Sequence, residues 1–134
     1  MSTQMFVNLH VKNLNNSMTF FSELGFTFNP QFTNDSGACM VIGENNFVML
    51  LMEEYFQEFT HKKISDTVKT SEVIISLSCE SRAKVNEFAD KALTLGATFS
   101  SDPSDMGFMY SRSFQDLDHH IWEYFYMDPS HIEN

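Results

Sequence analysis

The chain repeats itself. Leu24-Gly25-Phe26-Thr27-Phe28 returns as Leu95-Gly96-Ala97-Thr98-Phe99, a little over half of the 134 residues further on, and Gly37 and Gly107 fall close to the same offset. A period this long, with each copy reading as a strand, a helix and three strands, predicts two related modules, neither of which buries its sheet well alone. The modules are expected to pair around a shared concave surface. The divisions follow from where the pattern stops and restarts: a first module over 1–61, a polar linker over 62–71, a second module over 72–128, and a frayed tail over 129–134.

Side-chain periodicity supplies the elements. Residues 5–12 alternate, with Val7, Leu9 and Val11 on one face and Phe6, Asn8 and His10 on the other, as a strand requires. Asn15 or Asn16 is suited to cap a helix whose apolar positions Leu14, Met18, Phe21 and Leu24 recur at helical spacing, with Gly25 where it stops. Strands over 26–33, 37–42 and 46–52 follow, divided by turn-rich segments, and Pro30 places the first of them at an edge or a bulge. Residues 53–61 read as a short helix or loop. From Glu72 the pattern restarts. Val73, Ile75, Leu77 and Cys79 share one face of a strand, and Ile74, Ser76 and Ser78 the other. Ser81 then caps a helix with the stripe Val85, Phe88, Ala92 and Leu95, stopped by Gly96. Strands over 97–101 and 107–114 lead to the last one.

That last strand carries Glu123 in the middle of Phe114 to Phe125, FQDLDHHIWEYF. Alternation puts Glu123 with Ile121 and Phe125, and Trp122 with Tyr124 and Tyr126. An ionised carboxylate among apolar neighbours is paired, hydrated or bound to a cation, because burying it alone is too costly. An acid near a strand end, in water, is the plainer alternative.

Composition narrows the function classes. Hydrophobic residues make up 43% of the chain, which is ample for a core at this length. No apolar run approaches the roughly 18 residues of a membrane helix, and the N-terminal residues lack a signal-peptide pattern, so a cytoplasmic location is expected. The net charge of −10 repels nucleic-acid backbones and anionic membranes, which argues against both as partners, and attracts small cations. Cys39 and Cys79 lie apart within apolar segments and read as buried free thiols. The 14 phenylalanines and nine methionines suit an adaptable apolar pocket as well as ordinary packing.

Two stretches carry a family resemblance. Leu9-His10-Val11-Lys12-Asn13-Leu14 running into Phe20-Phe21-Ser22-Glu23-Leu24-Gly25-Phe26, and Asp116-Leu117-Asp118-His119-His120-Ile121-Trp122-Glu123, resemble the vicinal oxygen chelate superfamily, which includes glyoxalase I, bleomycin and fosfomycin resistance proteins and extradiol dioxygenases. The second stretch is similar to the family's Asp-Pro-Asp-Gly-His-x-x-Glu ending, with His119 standing where a turn glycine is usual. The resemblance implies an α+β fold in which the two βαβββ modules form an eight-stranded, curved, partly open barrel around a shared cleft. It also implies a homodimer. In metal-dependent members it places ligands at positions that here are Phe6, Ile74 and Glu123, and at an apolar position around residues 50–52. Only Glu123 has a donor atom, so no metal and no other cofactor are expected.

The same resemblance turns Asn8, His10, Ser76 and Glu123 toward the cleft as ligand-binding candidates. His10 lies about 13 Å beyond Phe6 at roughly 3.3 Å per residue, too far to replace it as a metal ligand. His10 and Glu123 are the catalytic candidates, since an imidazole serves as a base or a hydrogen-bond donor near neutral pH. Arg112, a cation in an aromatic strand, is expected to pair with Glu123 or an anionic ligand group. His119 and His120 are neighbours facing opposite ways, which suits a turn better than a metal pair. Two functions remain in view. One is a glyoxalase/bleomycin-resistance-like protein that binds a small, partly aromatic, possibly cationic molecule in the cleft without a metal. The other is a glyoxalase-type lyase or isomerase using a divalent metal to polarise a carbonyl.

Overall fold

The computed structural model describes residues 2–132. The chain is α+β and divides into two compact units between Asp66 and Thr67, within the stretch read as a linker. Each unit holds one helix-backed, mixed sheet.

In the first unit, β1 (Met5–Val11), α1 (Leu14–Leu24), β2 (Thr27–Asn29), β3 (Gly37–Gly43) and β4 (Asn46–Met52) form a sheet of order β1-β4-β3-β2. β1 runs parallel to β4 and the other pairs are antiparallel. Register places Leu9 beside Leu50 and Ala38, and Val48 beside Met40, all buried, on the face against which α1 lays Leu14, Phe20, Phe21 and Leu24. Burying side chains of this size contributes about 1.5–3 kcal/mol each. Met18, expected in that stripe, is only half-buried, and Phe20 and Ser17 take its place. The cap is Asn13, whose side chain accepts from Asn16 N–H at 3.0 Å, and not Asn15 or Asn16. All three asparagines suit a cap by type, and only backbone geometry selects among them. Pro30 ends edge strand β2 in a 3-10 turn, Pro30–Phe32. After β4 come the one-turn α2 (Glu53–Phe56) and a 3-10 turn, Gln57–Phe59.

The second unit repeats the plan: β5 (Ile74–Ser78), α3 (Arg82–Thr94), β6 (Thr98–Phe99), β7 (Ser104–Asp105), β8 (Met109–Gln115) and β9 (Ile121–Met127), in the order β5-β9-β8-β6 with β7 beside β8. β7 makes nine strands among the described residues where eight were expected. It forms because Arg82 grips Asp105 with two hydrogen bonds, 2.9 and 3.0 Å, and also donates to the Gly107 carbonyl, tying this short segment to the start of α3. Ser81 caps α3 as its sequence indicates, accepting from Lys84 N–H. Trp122, Tyr124 and Phe114 are buried, and α3 packs against β8 and β9 with Phe88 on Tyr124, ring centres 5.3 Å apart.

The repeat is real at the helix ends and fails further on. Gly25 and Gly96 both stop their helices with φ of 121° and 114°, a conformation that costs glycine nothing. Gly37 and Gly107 do different jobs. The first lies in β3, where a Cβ would come within 2.7 Å of Leu51, and the second makes a left-handed turn. Beyond Asp128, Pro129–Ile132 forms the one-turn α4 in place of the start of a frayed tail, while residues 133–134 of that tail lie outside the described residues. Among the described residues no helix is long and apolar enough to cross a membrane.

Candidate functional site

Glu123 stands in a polar row on the sheet face of the second unit opposite α3. It sits in register with Ser76 on β5 and with Ser113 on β8. Ser76 Oγ donates to Glu123 Oε1 at 2.6 Å, and the Ser113 and Ser101 hydroxyls are 2.7 Å apart. Two residues along β9 on either side, the same face carries Ile121 and Phe125, with Ile74 beside Ile121. The result is one carboxylate, half-buried, in a hydroxyl row with an apolar border. Ser113 and Ser101 were not among the sequence candidates. Ser113 is visible in the sequence as a serine on a strand, but its alignment with Glu123 depends on strand pairing.

Arg112 is not part of this row. Because Ser113 is the partner of Glu123, Arg112 is the partner of Tyr124 and faces α3. There its Nη1 lies 2.7 Å from Asp90 Oδ1 and 3.2 Å from Asn86 Oδ1, and Asn86 also accepts from the Tyr110 hydroxyl at 2.6 Å. The expected pairing of Arg112 with Glu123 is corrected on this ground. The two side chains leave opposite faces of one sheet.

In the first unit, His10 lies on the face opposite the α1 contact, in register with Leu51 and on the same side as Phe6 and Asn8. It is 8% exposed because α2 folds over it, with the Phe56 ring edge-on at 5.3 Å and Glu53 Oε2 3.6 Å from Nδ1. Glu53 was not anticipated, since nothing local says where a turn after β4 will place its first acid. Asn8 is exposed, and its amide donates at 3.4 Å to the Phe6 carbonyl.

The Asp116–His120 segment builds the turn that aims β9. Asp116 Oδ1 accepts from the N–H groups of Asp118 and His120 at 2.9 and 3.0 Å, and Oδ2 accepts the Trp122 indole at 2.8 Å. Burial pushes the Asp116 carboxyl up from its ordinary value, against His120 and these hydrogen bonds, which pull it down. His119 takes φ of 64°, the left-handed conformation that the usual glycine would adopt without strain. Elsewhere burial raises Tyr124 well above the ordinary phenol and raises both thiols, Cys39 and Cys79, which remain unpaired.

The metal-ligand positions implied by the resemblance do not fit a metal. Phe6 stacks on Phe47 at 4.7 Å, Ile74 is 56% exposed, and neither has a donor atom. At the fourth position, register turns Leu51 to the His10 face and Leu50 and Met52 away from it. Among the described residues no group of three or more His, Cys, Asp or Glu side chains is placed to hold a metal ion.

Residues 3–43 match the family described as bleomycin resistance protein-like N-terminal. A hypothetical protein from S. aureus is 27% identical, with a TM-score of 0.80 over 94% of each chain. A glyoxalase/bleomycin resistance protein/dioxygenase family enzyme from Burkholderia phytofirmans is 12% identical, with a TM-score of 0.78 over 94% of this chain and 99% of that one. The chain has the vicinal oxygen chelate fold. Its fold is the glyoxalase/bleomycin-resistance-like one, shared also with a genomically encoded fosfomycin resistance protein from Listeria monocytogenes, at 19% identity and a TM-score of 0.67 over 94% and 91% of the two chains. No curated protein matches the sequence significantly. Within the superfamily scaffold, Glu123 occupies the position at the end of the Asp116–Glu123 motif, and the departure from the metal-binding pattern lies at Phe6 and Ile74.

Proposed function

We propose that this vicinal oxygen chelate protein binds a small, partly aromatic, cationic molecule without a metal or other cofactor, Glu123 being the anchor. The observation that carries the reading is the placement of Glu123: one carboxylate on an open sheet face, hydrogen-bonded by a neutral hydroxyl and bordered by Ile74, Ile121 and Phe125. A carboxylate with no cation beside it among the described residues attracts one from solution, and the chain's net charge of −10 adds to that field. In this reading Arg112, held by Asp90 and Asn86, supports the sheet and does not contact the ligand. The divalent-metal lyase has less support, because the donor set is incomplete.

A screen of cationic aromatic compounds by thermal shift tests the proposal. A ligand at 100 times its dissociation constant adds about 2.7 kcal/mol of stability. Glu123→Gln removes the charge with little change of shape and is expected to abolish that gain. A neutral aromatic compound stabilising both forms equally would refute the anchor role. Elemental analysis after tag-free purification is expected to find less than one equivalent of transition metal, and a full equivalent lost on Glu123→Ala would favour the lyase. We further propose a cytoplasmic homodimer, for which light scattering is expected to give twice the 15.5 kDa of one chain.

A further inference from the structure

The outer edge of the second sheet is broken by a bulge. β6 sets Thr98 opposite Gln115 and Phe99 opposite Phe114, while β7 sets Ser104 opposite Ser111 and Asp105 opposite Tyr110, so the four edge residues 100–103 span only Arg112 and Ser113 on β8. Surplus residues of this kind leave the ladder and re-aim a side chain. Here that side chain is Ser101, whose hydroxyl lies 2.7 Å from that of Ser113, the residue directly opposite Glu123.

A strand of two residues, against roughly 5–6 in most, does not fix its own register. β7 is fixed from α3. Arg82 forks onto both Asp105 carboxylate oxygens at 2.9 and 3.0 Å, donates to the Gly107 carbonyl at 3.0 Å, and lies 5.0 Å over the Tyr110 ring. Asp105 also accepts the Gly107 N–H at 2.9 Å. Tyr110 reaches Asn86 on α3, and the next residue, Ser111, leaves the other face of β8 beside Phe125. The latch therefore closes on the α3 side, and the bulge that it holds delivers Ser101 on the Glu123 side.

The two serines spend one hydroxyl hydrogen on each other and keep the second, with lone pairs on both oxygens. Opposed residues on neighbouring strands have Cβ atoms about 4.5–5.5 Å apart, so a ligand nitrogen on Glu123 brings its next atoms over this pair. A methylene laid there strips water from the hydroxyls and returns no hydrogen bond, whereas a hydroxyl replaces the water it displaces.

We infer that Ser101 is a ligand-contacting residue that selects aromatic amines with a hydroxyl on the carbon next to the amine-bearing one, and that Arg82 is its positioning residue, acting across the sheet through Asp105. The inference rests on the cation-binding function proposed above and adds to it the class of amine.

The probes are 2-phenylethylamine and the better-bound enantiomer of 2-amino-1-phenylethanol, which differ by one hydroxyl. Each is titrated calorimetrically into wild type, Ser101→Ala, Arg82→Ala, the double variant, Asp105→Asn and Glu123→Gln. Wild type is expected to hold the amino alcohol about tenfold more tightly, the worth of one hydrogen bond. Ser101→Ala and Arg82→Ala are each expected to bring that ratio close to one, and the double variant to lower it no further, because Ser101 without its latch no longer reaches the row. Asp105→Asn opens the fork from its other side with little change of shape and is expected to act as Arg82→Ala does. The ratio compares two ligands on one protein, so a loss of folding stability alone does not move it. No preference in wild type, a ratio that Ser101→Ala leaves intact, or one that survives Arg82→Ala or Asp105→Asn would overturn the inference while cation binding stood. Failure of both amines to bind wild type, or equal binding by wild type and Glu123→Gln, would remove the proposed function and this inference together.

Discussion

Ser76 and Glu123 face each other across parallel strands β5 and β9, and the serine hydroxyl reaches the carboxylate at 2.6 Å. The pair joins the first strand of the second module to its last, yet it lies on the exposed face and not in the core. Removing the hydroxyl is therefore expected to change folding stability by less than about 0.5 kcal/mol, as for most surface substitutions. Urea denaturation of Ser76→Ala checks this. A larger loss would make the pair structural and weaken the reading of Glu123 as a ligand anchor.

Arg112 is expected to behave in the opposite way. Its guanidinium is held against α3 by Asp90 and Asn86, with its side chain 19% exposed and that of Asp90 66% exposed. Arg112→Ala loses a charge-assisted hydrogen bond and the packing of its stem, a cost of about 1–2 kcal/mol, kept modest because Asp90 regains water. Denaturation should show that loss, and titration should show unchanged affinity for a cationic ligand.

His119 stores strain in the turn before β9. Its φ of 64° is comfortable for glycine, so His119→Gly is expected to stabilise the fold by about 0.5–1 kcal/mol after glycine's own entropy cost. His119→Val should destabilise it, because a β-branched residue resists this conformation most. The two melting temperatures, moving in opposite directions from wild type, decide the point.

Acid should loosen β7 through Asp105. The hydrogen bonds from Arg82 hold its carboxyl down from 3.8 to about 2, so the folded chain binds fewer protons than the unfolded chain between those values. Stability from this pair is complete above pH 3.8 and falls as the pH drops through about 2. Asp105→Asn should flatten the stability profile across that window, read by denaturation at stepped pH.

Much of the fold was legible along the chain because its causes are local. Alternation within strands, helical spacing from Leu14 to Leu24, and Gly25 and Gly96 at the helix ends each depend on a few neighbouring residues, and φ of 121° and 114° at the two glycines follows directly. Alternation alone also singled out Glu123, whereas Phe6 and Ile74 were picked out as positions without donor atoms only by the family resemblance. What it left open was register. Alternation sorts residues within β8 and within β9, but only the pairing of Ser113 with Glu123 tells which faces coincide, and that pairing sent Arg112 to α3 and the serines to the carboxylate. The placement of Glu53 beside His10 likewise depends on how α2 folds back over β1. A period of two determines a face only relative to its own strand, and aligning two strands takes contacts between residues far apart in the chain.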